Sequence, residues 1–271
     1  MNKICFIAVN YNNSNHTINY IKSILLLEEL DHYGIVIVDN ASESSDFLML
    51  EEYCRVLSNA HVHLIRNELN SGYFPGLNVG LKFIENRAYK LVVVGNNDLT
   101  FQSDFLLALE QLSYDQQTFA IAPNIVSADG RHQNPHCINR VSRFRVFCYD
   151  LYFMNYYFGK LLFWTMQIFK KYTLSPPKEI WREQRHIHMG IGACYVLTEE
   201  FFKAYNALDD RVFLWGEEAL LAGQISRANG KTLYAPSLIV NHFENASVSK
   251  IPSIRSYEIT RESYKIYREY L

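Results

Sequence analysis

The first half of the chain alternates apolar runs with stretches of helical periodicity. Residues 4–9, 35–38, 62–65 and 91–94 are short and rich in Ile and Val, as expected of strands buried on both faces. Between them, Ile18, Ile21 and Leu25 recur at helical spacing behind Ser14 and Asn15, which offer caps. A second helix is predicted over 46–57 behind Ser44 and Ser45, and a third over 77–86. Residues 105–112 read as a helix and 120–126 as a further strand. This β-α-β-α order predicts a mostly parallel open sheet with helices on both faces, an α/β fold with right-handed crossovers.

The rhythm breaks at Ser127. Residues 127–145 are polar, punctuated by Gly130 and Pro135, and read as a long loop. An aromatic helical insertion over about 144–172 follows, ending near Pro176-Pro177. Then come a strand over 192–197, helices over 199–205 and 219–228 (the latter stopped by Asn229-Gly230), two short strands over 233–235 and 238–240, and a C-terminal helix over 253–271. Neither an internal repeat nor a low-complexity linker interrupts the chain, so one domain over 1–271 is expected, with 127–252 as a modified second half.

Composition narrows the function. A 49% apolar chain of 271 residues can bury a large core, and its net charge of -2 argues against non-specific nucleic-acid binding. Five scattered cysteines without CxxC spacing suggest reduced thiols rather than disulfides or zinc. With no signal-like start and no apolar run long enough to span a bilayer, a cytoplasmic protein is expected.

The chemistry-bearing residues sit where apolar runs stop. One strand ends in Asp39-Asn40-Ala41-Ser42 and another in Gly95-Asn96-Asn97-Asp98, so two carboxylates are delivered to the C-terminal sheet edge, where open α/β folds bind ligands. Asp98 is a hard oxygen ligand suited to Mg²⁺ or Mn²⁺. Gly72, Gly76 and Gly80 precede and enter a helix, matching neither a P-loop nor GxGxxG. Glu217 and Glu218 open another helix, and adjacent positions cannot share one helical face, so one carboxylate can reach a cleft while its neighbour braces the backbone. His242 closes a short strand, and His186, His188, His61 and His63 have spacing that suits strand alternation.

Taken in order, these pieces resemble a known family. Val9-Asn10-Tyr11-Asn12, Val38-Asp39-Asn40-Ala41-Ser42, Asn67-x-x-Asn70-x-Gly72-Tyr73-x-x-Gly76-x-Asn78-x-Gly80 and Asn96-Asn97-Asp98 look like the nucleotide-sugar half of family 2 glycosyltransferases, which have the GT-A fold. Gly192-Ala193-Cys194, Phe213-Leu214-Trp215-Gly216-Glu217-Glu218, Arg227-Ala228-Asn229-Gly230 and His242 resemble the acceptor half. The likeness covers roughly 3–245, is nearest the rhamnosyltransferase-like branch, and makes 1–126 the donor half.

The resemblance implies roles. Tyr11 and Asp39 would hold base and ribose, Asn10 would belong to the donor site, Asn70, Gly72 and Asn78 would shape the donor pocket, and Asn97 and Asp98 stand in the place of the DxD-type motif. Asp98 would bind the Mg²⁺ or Mn²⁺ that bridges the diphosphate, with His242 near it. Glu218 would be the catalytic base, with Glu217 as substitute should the helix begin one residue differently. This chain departs from the pattern in carrying one metal carboxylate and a Glu for the base. The implied reaction is inverting transfer from a nucleoside-diphosphate sugar, a UDP- or dTDP-sugar ahead of a GDP-sugar, to a glycan or lipid-linked glycan acceptor in bacterial surface polysaccharide (O-antigen or capsule) assembly. The competing reading is a weakly active homologue serving as a sugar-binding or assembly subunit.

The insertion over 144–172, apolar nearly all round and rich in aromatics, with Lys160, Lys170 and Lys171 as cationic flanks, suits peripheral contact with the inner membrane at its cytoplasmic face. A buried hairpin or a homodimer contact would explain it equally.

Overall fold

The computed structural model describes residues 3–28, 32–86, 89–162, 179–243 and 253–271. In the first half the alternation is realised as β1 (Ile4–Asn10), α1 (Ser14–Leu25), β2 (Tyr33–Asp39), α2 (Ser44–Leu57), β3 (Val62–Arg66), α3 (Tyr73–Ile84), β4 (Leu91–Asn96), β5 (Leu99–Phe101), α4 (Phe105–Gln111) and β6 (Thr118–Ser127). The second half contributes α5 (Arg143–Tyr152), β7 (Arg185–Ile187), β8 (Cys194–Leu197), α6 (Glu199–Ala204), α7 (Glu217–Arg227), β9 (Lys231–His242) and α8 (Ile254–Tyr267). Residues 156–162 are also helical.

The strands form one nine-stranded sheet in the order β3-β2-β1-β4-β8-β6-β9-β5, with β7 paired to β9. β1 through β4 are mutually parallel where they pair, as are β6 and β9. β8, however, enters antiparallel between β4 and β6, and β5 and β7 run antiparallel to β9. Six of the nine strands, β1–β4, β6 and β9, run the same way, so the sheet is mostly parallel as expected, with β5, β7 and β8 set in antiparallel.

Alternation along each strand feeds two cores. Ile4, Phe6, Ala8, Ile35, Ile37 and Val93 pack on one face under Tyr20, Ile21, Ile24 and Leu50 of α1 and α2. Cys5, Ile7, Val36, Val38, Val92 and Val94 pack on the other against Phe74, Leu77 and Leu81 of α3 and Leu221 and Ile225 of α7. Burial on both faces is why these strands read as unbroken apolar runs.

Several elements differ from expectation. The caps of α1 are not Ser14 and Asn15: Ser14 begins the helix, and its amide donates across to Asp46 Oδ1 of α2 at 2.9 Å. α3 starts at Tyr73, so Gly76 and Gly80 lie inside it and serve helix–strand packing. A Cβ on Gly76 would stand 2.9 Å from Val9, and one on Gly80 would run into Ile7. Residues 233–235 and 238–240 belong to the single strand β9, whose register against β6 skips between Ala235 and Ile239 in a bulge. α8 packs on its own domain, as Tyr267 meets Gly216 and Tyr270 meets Gly223. Residues 163–172 of the expected aromatic insertion lie outside the described residues.

Candidate active site at the strand ends

Register brings the polar strand ends together: Asn10 pairs with Asp39, and Val9 with Asn96. Asn10 is wholly buried. Its Nδ2 donates to Asp39 Oδ1 (2.9 Å), Ser42 Oγ (3.1 Å) and Asp46 Oδ2 (2.9 Å), while its Oδ1 accepts from Thr17 Oγ1 at 2.7 Å. Asn97 joins this lattice, donating to Thr17 Oγ1 at 2.7 Å and to Asn10 Oδ1 at 3.3 Å. Asn10 is thus spent inside the protein and holds strand ends, while Asn97 commits its Nδ2 to the same lattice and stays half-exposed. Asp39 is buried too, accepting from Ser42 N at 3.1 Å with Arg66 Nε 4.0 Å away. Asp46 completes the frame. Partial burial alone would raise its pKa, but hydrogen bonds from the Ser14 amide and Asn10 hold the carboxyl below its ordinary range. Tyr11 stays exposed at the rim.

The donor-side loop is built by a second amide cluster. Asn40 Nδ2 donates to Gly72 O (2.8 Å) and Asn70 Oδ1 (3.1 Å), Asn70 Oδ1 also accepts from Gly72 N (3.1 Å), and Asn67 Nδ2 reaches Asn40 Oδ1 (2.8 Å). Gly72 has φ 111°, and any Cβ there would strike the Phe213 carbonyl, so glycine is required twice over. Tyr73 N donates to that same carbonyl at 3.2 Å, fastening the loop to the segment that leads into Glu217. Asn78 departs from its expected role. Its Nδ2 donates to Leu208 O (2.9 Å) and Asp210 Oδ2 (3.1 Å) and its Oδ1 accepts from Leu208 N (2.8 Å), so it braces the 208–210 loop.

Asp98 and His242 meet because β5 folds back on β9, with Leu99 opposite His242 and Phe243 N donating to Asp98 O. His242 Nδ1 lies 2.8 Å from Gln133 Oε1; with that nitrogen donating, Nε2 presents its lone pair 3.3 Å from Asp98 Oδ1 and 3.4 Å from Asn96 Nδ2. Asp98 Oδ1 is buried and receives no aligned hydrogen bond. A bare carboxylate oxygen facing an imidazole lone pair is a donor set that fits a divalent cation, which would satisfy both. Among the described residues no group of three or more His, Cys, Asp or Glu could hold a metal, so such a cation would take its other ligands from substrate and water. A groove of about 340 Å³ lined by His16, Lys22, Leu26, Thr100 and Phe243 opens onto Asp98, giving it access from solvent along α1.

The other carboxylates approach from α7. Trp215 (φ 66°) and Gly216 (φ 100°) take left-handed conformations, and the Tyr267 ring leaves no room for a Cβ on Gly216. The pair then splits as adjacent helical positions must. Glu217 turns inward, 5% exposed, its Oε1 without a partner, and burial pushes its carboxyl up to about 7, with the Glu218 charge adding to the effect. Glu218 is half-buried, and its Oε2 lies against Gly192, 3.3 Å from where a Cβ would stand. Gly192 links both halves: its carbonyl accepts from Tyr73 Oη at 3.3 Å, and the next carbonyl, of Ala193, accepts from Asn96 N at 2.9 Å. Burial raises the Tyr73 hydroxyl well above 10, with Cys194, Glu217 and Asp98 contributing through their charges. Tyr73 thus stands within electrostatic reach of both Glu217 and Asp98.

Sequence reasoning missed Thr17, Asp46 and Gln133, and gave Tyr73 no role beyond its place in the glycine-rich motif. Asp46 reads as an ordinary acidic first turn, and Gln133 sits in a polar loop whose path the sequence leaves open. The other histidines fall elsewhere: His188 Nε2 contacts Tyr270 O at 2.9 Å, and His61 packs on Tyr33 at the start of β2, the opposite end of the sheet.

Comparison with known proteins agrees with this architecture. Solved structures with similar folds include GalNAc-T7 with UDP, GalNAc and Mn²⁺ (TM-score 0.64, 15% identity, covering 98% of this chain and 48% of that one). A mannosyltransferase from Pyrobaculum calidifontis in complex with GDP-Man and Mn²⁺ gives 0.58 and 14%, covering 97% and 70%. S. aureus TarS 1-349 in complex with UDP-GlcNAc gives 0.59 and 12%, covering 97% and 66%. The chain spans about half the length of GalNAc-T7. No curated protein matches the sequence significantly. At such identities these likenesses establish the GT-A fold alone, but the sequence model described as glycosyl transferase family 2 matches residues 5–176, more than half the chain. By that match the chain belongs to glycosyl transferase family 2.

Proposed function

We propose that this glycosyltransferase moves a sugar, with inversion, from a nucleoside-diphosphate donor to a hydroxyl of a glycan acceptor. The observation that carries the reading is the Asp98–His242 pair, 3.3 Å apart, linked through Asn96 to the Gly192–Ala193 backbone, against which Glu218 Oε2 lies. Asp98 and His242 would hold Mg²⁺ or Mn²⁺; when bound, such an ion neutralises charge that collects on a departing diphosphate. Mn²⁺ is present in the GalNAc-T7 and mannosyltransferase structures, and nucleotide or nucleotide sugar in all three neighbours.

Glu218 is the group placed to take a proton from the acceptor hydroxyl. It is the more exposed of the pair, next to a glycine that leaves room for a ligand, and a carboxylate at that spot makes the oxygen nucleophilic as it attacks the anomeric carbon. A single displacement from the face opposite the leaving group inverts that carbon. Glu217, buried behind it, braces the helix start. The donor nucleotide lies along the Tyr11, Asp39 and Gly72 edge in this reading, with uracil or thymine as its base. In this reading the acceptor belongs to a surface polysaccharide, and the exposed aromatic and basic residues of 143–161 suit a lipid-linked one.

Binding of nucleoside diphosphates tests the site directly. A thermal-shift screen of UDP, dTDP and GDP with Mn²⁺ should show stabilisation of several degrees by one of them, since a ligand of the native state stabilises it by mass action. Asp98→Ala should abolish the Mn²⁺-dependent part. Equal stabilisation of wild type and variant would overturn the assignment of Asp98.

A further inference from the structure

The charge of this chain is unevenly spread. Between residues 130 and 178 the sequence carries eight Lys or Arg and one acid, Asp150, although the whole chain has 26 basic and 28 acidic residues. That lone acid is already neutralised, since Arg268 Nε lies 2.5 Å and Tyr264 Oη 2.6 Å from its Oδ1. Among its described cations Arg131 pairs with Asp129, whereas Arg143, Arg145 and Lys160 are exposed and make no ion pair with a described residue.

Its described part has two distinct sides. The inner side is anchored to α8: Phe153 stacks on Tyr264 at 4.5 Å, Tyr152 and Tyr156 pack on Tyr257, and Gly159 fits against the Tyr152 carbonyl where a side chain could not. The outer side points large apolar groups at water. Phe144 is 76% exposed, Tyr157 73% and Leu161 58%, with Phe147 and Met154 also exposed. Arg143, Arg145 and Lys160 are exposed among them. A well-anchored element that leaves aromatic side chains in water is not a frayed end; it is a surface built to meet something.

We propose that this face docks on an anionic lipid surface. Aromatic and long apolar side chains interleaved with Arg and Lys match a headgroup layer, where apolar tips enter the acyl boundary and cations meet phosphates. Aromatic side chains, Met and Arg also suit protein interfaces, so the discriminating feature is the excess of Arg and Lys over acids on this face, which matches an anionic surface. Through α8 the docked face lies close to the reacting groups. Tyr264 touches α5 and Tyr267 fills the space beside Gly216, and the Glu218 charge reaches Tyr267 and Cys137, the latter also sensing Arg145. Docking would present the Glu218 side of the cleft to acceptors held at the bilayer. The lipid contact itself does not depend on the transfer chemistry.

The test is co-sedimentation of the full chain with vesicles of phosphatidylcholine alone and of phosphatidylcholine mixed with phosphatidylglycerol. Wild type should bind the anionic vesicles at least about tenfold more tightly than the neutral ones, and less as salt rises. Phe144→Glu/Leu161→Glu and Arg143→Gln/Arg145→Gln should each lose at least about tenfold of that binding with unchanged melting temperature and unchanged Mn²⁺-dependent nucleotide shift. Absence of wild-type binding, undiminished binding by both variants, or a self-association that the variants abolish without any vesicle binding would overturn the proposal. Loss of the nucleotide shift in wild type would instead count against the function proposed above.

Discussion

Replacing Glu217 by Gln isolates the energetic cost of the buried carboxyl. In the fold its pKa is about 7 against an ordinary 4.5, because burial disfavours the charged form and Glu218 adds a second negative charge. Below pH 4.5 both folded and unfolded chains hold the proton, and Glu217 costs nothing. As pH rises from 4.5 to 7 the unfolded chain releases the proton that the fold retains, so stability falls; above 7 both are ionised and the loss stays constant. At 1.36 kcal/mol per tenfold this amounts to about 3 kcal/mol, of which about 2–3 kcal/mol develops between pH 5 and pH 8. Glu217→Gln has nearly the same shape and no charge to desolvate. Without added metal, the wild-type melting temperature should fall behind that of the variant by roughly 6 °C more at pH 8 than at pH 5. An offset identical at the two pH values would show that Glu217 does not titrate in this window, and the buried, proton-retaining carboxyl would have to be abandoned.

Two further outcomes separate working residues from framework. Glu218→Gln should leave the nucleotide-dependent thermal shift intact while sugar transfer drops about 100-fold, the scale of a lost general base; near-normal turnover would move that role to Glu217. Asn78→Ala should lower stability by about 1–3 kcal/mol, as expected when the Leu208 amide loses its partner, with donor KM unchanged; a raised donor KM at full stability would restore Asn78 to the donor pocket.

Much of this was legible because parallel strands buried on two faces must be apolar throughout, so their polar ends stand out. Asp39 and Asp98 could be placed at the sheet edge on that ground alone, and the splitting of Glu217 and Glu218 follows from helical geometry whatever surrounds them. The asparagines were harder. Asn10, Asn97 and Asn78 look like ligand-binding amides in a string of letters, because an amide can donate and accept in any direction. Only the positions of Thr17, Asp46, Leu208 and Asp210 show that Asn10 and Asn78 are consumed internally, as is the Nδ2 of Asn97.

Local periodicity and side-chain chemistry therefore settled β1 to β4, the helices between them and the residue types available for catalysis, since these depend on neighbours a few positions away. Contacts between distant segments settled the rest. The antiparallel entry of β8, the return of β5 onto β9 that sets His242 beside Asp98, and the docking of Tyr267 that fixes how α7 begins are each chosen by packing and hydrogen bonding over separations of many tens of residues, which no local pattern encodes.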